Sequence, residues 1–418
     1  MKRKAFQITV TVLMLLAFVL VSQGLSATRR PNRPDANPGN PVTPTDFPAK
    51  FLPGIEKPGV IPEKKYFITF SNGDMNDLWR LTFVRDVENF ANRYMEEFGI
   101  KFMWTNAGHN SAKQLADIES LLALKPDLLL MSANEREPLN VVKEMCDEQG
   151  VPLIILDRGI VYQPTDDPND MYIQSQSLDF FLNGIAMGVA VVRFLTEKYG
   201  EPKGNVVELA GILGSEPGIQ RSQGVKFVLK NYPNIHMIAT RPAEFDRKMG
   251  YEAMRDLLET YPKGQIDCVV CGCDETGLGA LQAIKEAKRD ELIGALISTD
   301  AIVEYLEAID KGEAYMTVEC TPYFGLTAFE YGIRYLNGED IPPRIMLPQR
   351  VYIRDGDPKK AELLKAHIKY CRDNNLNFVP VALGGQDVLW LPELDELYPK
   401  PWYEDPSVFE GLEPFTTY

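Results

Sequence analysis

Short apolar runs alternate with segments of helical period along this chain, and the alternation occurs twice. In the first series "KKYFITF" (Lys64–Phe70), "IKFMWT" (Ile100–Thr105), "DLLLMS" (Asp127–Ser132) and "VPLIILD" (Val151–Asp157) are short and predominantly apolar. A strand reads that way when both of its faces are covered, whereas a strand with one wet face alternates. The intervening segments Asn76–Phe98, Ser111–Leu124 and Pro138–Gln149 carry helical spacing, and Lys125-Pro126 and Gly150 supply stops. Strands separated by a helix lie parallel and connect through right-handed crossovers.

The second series is "GNVVELAG" (Gly204–Gly211), "IHMIAT" (Ile235–Thr240), "DCVVCG" (Asp267–Gly272) and "LIGALIST" (Leu292–Thr299). Helices are expected around Gln220–Asn231, Arg247–Tyr261, Asp274–Lys288 and Ala301–Lys311. Three further runs, "MYIQSQ" (Met171–Gln176), "AYMTVEC" (Ala314–Cys320) and "QRVYIRD" (Gln349–Asp355), suit strands that cross between the two halves. The fold class is therefore α/β: two Rossmann-like lobes with parallel sheets, joined by a three-crossover hinge. Ligands bind such sheets beyond the carboxyl ends of the strands, here across an interlobe cleft.

Composition narrows the partners. With Lys+Arg 44 against Asp+Glu 59, the 418-residue chain carries a net charge of −15, which gives no general attraction to nucleic acid or anionic membrane. Lys2, Arg3 and Lys4 followed by an apolar run and "LSA" read as an export signal over 1–27, placing the protein in the periplasm or another extracytoplasmic space. Residues 28–63 are Pro-rich and read as a linker. The first lobe is expected over 64–174 plus 320–346, the second over 175–319 plus 347–355. Residues 356–418 form a C-terminal extension, read as an arm packed on the body, with partner docking as the alternative. Six cysteines in a chain of this length are too sparse for a disulfide scaffold.

The informative residues sit at strand ends. Asn76, in "NDLWR", is either a helix cap or a ligand contact. Trp79 offers a flat apolar face with a polar edge, which suits the C–H face of a sugar ring. Asp157 and Arg158 pair an acceptor-only carboxylate with a five-donor fork and can together satisfy neighbouring hydroxyls. Arg221, Phe245 and Asp246 are similar offers from the second half, and Asp300 is either a cap or a hydroxyl acceptor. Ser132 closes its strand at the same level. No G-x-S-x-G, P-loop or H-E-x-x-H occurs, so an enzyme is not expected.

From Tyr66 to about Asp355 the chain resembles the periplasmic sugar-binding proteins of the ribose-binding type, the type I solute-binding proteins of ABC transporters. The stretches that carry the resemblance are "NSAKQLADIESLLALKPDLLLMS", "GVPLIILDRGI", "VVELAGILGS", "RPAEFDRKMGYEAM", "DETGLGALQAI" and "MTVECTP", in the expected order. It implies the type I periplasmic binding protein fold, a monomer that captures a monosaccharide without a cofactor, and ABC permease subunits as partners. "NDLW" also looks like the autoinducer-2 receptor branch, so a ligand-sensing receptor is the alternative.

The resemblance implies that Asp157, Arg158, Phe245, Asp300 and an aromatic near Trp79 line the pocket. Three positions depart from the pattern. Cys273 stands where the family usually has Asn, Cys320 stands where it has Gln, and an Arg is missing near Ile219. Both cysteines fall at ligand-facing positions. They are expected to be free, partly buried thiols rather than a bridge, and to shift preference toward a ligand lacking a hydroxyl.

Overall fold

The computed structural model describes residues 60–400 except 166, 168, 169 and 399. The expected export signal, nearly all of the linker and the end of the C-terminal extension lie outside the described residues.

The first sheet begins with β1 (Phe67–Asn72). Helix α1 (Leu78–Phe98), β2 (Lys101–Asn106), α2 (Ser111–Ala123), β3 (Leu128–Ser132), α3 (Val141–Gln149), β4 (Leu153–Leu156) and β5 (Tyr172–Ser177) follow. Helix ends here are fixed by local chemistry. Asp77 caps α1, its side chain accepting the Arg80 amide at 2.7 Å, and Gly99 ends that helix in the left-handed conformation that glycine adopts without cost. Asn110 caps α2 in the same way.

Helix α4 (Phe180–Tyr199) then leads into β6 (Gly204–Ala210), α5 (Glu216–Leu229), β7 (Ile235–Pro242), α6 (Arg247–Thr260), β8 (Cys268–Cys271), α7 (Asp274–Glu286), β9 (Leu296–Asp300), α8 (Val303–Asp310) and β10 (Met316–Glu319). The chain returns through α9 (Gly325–Leu336), β11 (Arg344–Met346) and β12 (Val351–Ile353). It continues into α10 (Pro358–Asp373) and α11 (Glu393–Leu397). One sheet runs β11-β5-β4-β3-β1-β2 and the other β12-β10-β9-β8-β6-β7. Every pairing is parallel except β10 with β12.

The α/β architecture thus follows from the doubled apolar pattern. The pattern assigned no element to 180–199, where α4 lies. That helix is apolar nearly all round and carries no periodic stripe. It is long and apolar enough to cross a membrane, yet 67% of its apolar window is buried in the body. It lies backbone to backbone against α5: a Cβ on Gly184 would come within 2.2 Å of the Arg221 carbonyl. This contact places Arg221.

Candidate functional site

The carboxyl ends of both sheets converge on one small cavity of about 30 Å³, room for about one water molecule and well short of an open ligand pocket. Its walls are Asp77, Trp79, Asp157, Arg158, Pro217, Arg221, Phe245, Cys273, Asp300 and Cys320. Most of the residues expected at the site are therefore gathered here, and three are not. Asn76 is exposed and neither caps nor lines; its amide turns back to the Asp74 carboxylate at 3.4 Å. Ser132 is buried one layer below, accepting a hydrogen bond from Arg80 Nη1 at 2.9 Å. Asp246 caps α6, accepting the Met249 amide.

Beneath the cavity lies an ion network that the sequence reading did not name. Arg80, wholly buried, reaches the Asp157 carboxylate at 3.1 Å and stands 3.8 Å from Asp74. Arg158 donates from Nη1 to Asp74 at 2.6 Å. Burial alone would raise the Asp74 carboxyl, but the guanidinium groups of Arg158 and Arg80 override it and hold the group at about 2. At Asp157 burial prevails over Arg80, Arg158 and Arg221, and the carboxyl is raised. The signal for Arg80 was an arginine on an apolar helical face, one residue after Trp79, where no charge can stay unpaired.

The second lobe offers a matching set. Arg221 donates from Nη1 to the Gly272 carbonyl at 2.9 Å and from Nη2 to Asp300 at 3.3 Å. The Phe245 ring receives Arg158 of the first lobe at 5.5 Å and Arg221 of the second at 5.7 Å. Cation–π attraction of this kind strengthens away from water. Asp157, Phe245 and Asp300 all have positive φ, at 61°, 64° and 130°. Such backbone in non-glycine residues carries strain and clusters at functional sites.

Trp79 departs from its expected setting at an open mouth. Its ring lines the cavity but is only 7% exposed and stacks on Phe83 at 5.4 Å. Its indole N–H donates to the Cys320 carbonyl at 2.7 Å. The wall is thus also core.

Both pocket cysteines are free and fully buried, not partly buried. Cys273 caps α7: its sulfur accepts the Thr276 amide at 3.5 Å and donates to the Phe245 carbonyl at 3.3 Å. Burial pushes both thiols well above their ordinary range, so they are poor nucleophiles. The folded protein should react slowly with a thiol reagent, whereas denaturant should release six thiols, one per cysteine in the chain. Fewer than six in unreduced protein would reveal a bridge.

Asp77 supplies a pH dependence. Burial first, then the neighbouring Asp74 charge, raises its carboxyl to about 6. The folded state therefore binds a proton that the unfolded state has released. The contribution of this group to stability is full below about pH 4 and is lost as pH rises through about 6. Asp77→Asn keeps a good cap and should flatten that part of the stability curve in urea titrations between pH 4 and 7.

Residues 68–340 match the family model for the periplasmic binding protein domain. The chain belongs to this family. Among its relatives is the galactofuranose-binding protein of Escherichia coli, 29% identical over 286 residues, covering 66% of this chain and 86% of that protein. The ribose import binding protein of Haemophilus influenzae is 27% identical, covering 62% and 84%. Among solved structures, the periplasmic binding component of the arabinose ABC transporter from Shewanella sp. ANA-3, bound to L-arabinofuranose, superposes with a TM-score of 0.64. It is 26% identical and covers 74% of this chain and 96% of its own. These relatives are binding proteins of the two-lobed α/β class read from the sequence.

Proposed function

We propose that this periplasmic binding protein captures a small neutral monosaccharide between its lobes and presents it to an ABC importer. The observation that carries the reading is the composition of the cavity. Charged groups from both lobes, Asp157 and Arg158 on one side and Arg221 and Asp300 on the other, face each other between the aromatic walls Trp79 and Phe245. A sugar needs such a set, since each hydroxyl both donates and accepts while its C–H faces are apolar. The pentose and hexose names of the relatives support this class. The exported, monomeric and non-catalytic state belongs to the same proposal.

Closure would draw on contacts made only when the lobes meet. The Gly159 amide of the first lobe donates to Glu216 at the start of α5 at 2.7 Å, and the Arg136 amide donates to the Gly214 carbonyl at 3.1 Å. Glu216→Ala should weaken sugar affinity about 3- to 10-fold by removing one such bond. The melting temperature of ligand-free protein should fall only modestly, since within its own lobe the carboxylate gives up one bond, from Gln220 Nε2 at 3.1 Å. Calorimetric titration beside a melting curve checks both.

The function itself is tested by thermal shift across pentoses, hexoses, inositols and autoinducer-like diols. A native-state ligand raises the midpoint by mass action. A sugar that does so without being turned over supports the reading, and a panel without any shift counts against it.

A further inference from the structure

The family match ends at residue 340, yet the chain after β12 is folded onto the hinge. Glu319 closes β10, immediately before Cys320, where the chain passes from the second lobe to the first. Its buried carboxylate is held by the guanidinium of Arg350, which is wholly buried. Arg350 spends its remaining donors on the segment beyond α10: on the carbonyls of Gly384 at 2.9 Å, Pro380 at 3.2 Å and Val379 at 3.3 Å. Three backbone carbonyls converging on one cation fix where that segment lies.

The same segment touches both lobes. Phe378 forms an antiparallel bridge with Ile302 beside α8 in the second lobe. Its carbonyl accepts the Tyr323 hydroxyl at 3.2 Å, from the turn that enters α9 in the first lobe. Leu389 anchors the far end through the Val351 amide at 2.7 Å. On the inner side, the Cys320 carbonyl holds the Trp79 indole. One line of contacts therefore runs from the extension through Arg350 and Glu319 to a wall of the cavity.

We propose that the chain beyond β12 is a hinge brace, with Arg350 and Tyr323 as positioning residues that limit how far the lobes open. The proposal rests on the reading of this site as a closing ligand cleft. A brace that ties both lobes beside the pivot raises the closed fraction before any ligand arrives, and apparent affinity scales with that fraction.

The test needs no sugar. Spin labels at Glu148→Cys in the first lobe and Lys248→Cys in the second report interlobe distance in ligand-free protein. Both positions are exposed, while the native cysteines are buried. Tyr323→Phe removes only the hydroxyl that joins the first lobe to Phe378. The pair Glu319→Gln with Arg350→Met removes the central ion pair without stranding either charge. Both variants should shift the distance distribution to longer values, the pair more than the single. A distribution unchanged from the parent in folded Tyr323→Phe and in the folded pair would overturn the brace; should the pair fail to fold, Tyr323→Phe alone decides. Because no sugar is present, that failure would leave the sugar reading standing, and an empty thermal-shift panel would leave the brace standing.

Discussion

Asp157→Asn and Arg158→Ala should each abolish measurable sugar binding. Both side chains line the cavity and belong to one buried network with Asp74 and Arg80. Removing a partner from such a network leaves a charge or a hydroxyl unpaired away from water, at about 2–5 kcal/mol, or roughly 30- to several-thousand-fold in affinity. The two changes should differ in stability. Arg158→Ala strips Asp74 of its 2.6 Å partner and leaves Arg80 at 3.8 Å as its remaining cation, so it should lower the melting temperature as well. Asp157→Asn keeps the shape and an oxygen for Arg80 to bond at its 3.1 Å position but removes the charge, and it relieves a carboxyl that burial already raises, so it should cost less stability than Arg158→Ala. Isothermal titration beside urea unfolding separates the two. Near-native affinity in either variant removes that residue from the site. Asn76→Ala, on an exposed side chain, should bind like the parent.

The doubled α/β pattern was legible because strands covered on both faces are continuous in apolar residues, as β3 shows with LLLMS buried throughout. Strand ends were legible for the same reason, and in a parallel sheet the strand ends carry the site. Asp157 and Asp300 could be named from that position, and Phe245 from its aromatic ring and the family resemblance. What stayed hidden depends on contacts between distant segments. Arg80 looked like a helix residue, and only the approach of β3 and β4 turns it toward Ser132 and Asp157. Asp77 and Asn76 differ by one position, and the cap geometry that selects Asp77 is set by the turn after β1. The hinge role of Arg350 was unreadable because its partners, Glu319 and the 379–384 carbonyls, lie about thirty residues away on either side. Helix α4 was missed because an all-round apolar segment has no face to announce.

Trp79→Ala should damage the protein twice over, and the sizes of the two losses distinguish wall from core. The ring is stacked on Phe83 and meets Phe324 edge-on at 6.3 Å. Deleting a buried ring costs about 3–5 kcal/mol of stability through lost transfer energy and an unfilled cavity. The Cys320 carbonyl also loses the N–H that it accepts at 2.7 Å, and an acceptor stranded in the hinge adds about 1–3 kcal/mol. Binding loses an apolar wall, for which about 1–3 kcal/mol is expected. Trp79→Phe separates these contributions: it restores a ring against Phe83 but not the bond to Cys320. Stability recovered while affinity remains low would place the effect in the indole N–H and its hold on the hinge. Affinity recovered along with the ring would place it in the flat surface offered to the sugar. Full affinity in Trp79→Ala, measured where the variant is folded, would remove Trp79 from the binding surface altogether and leave it as core.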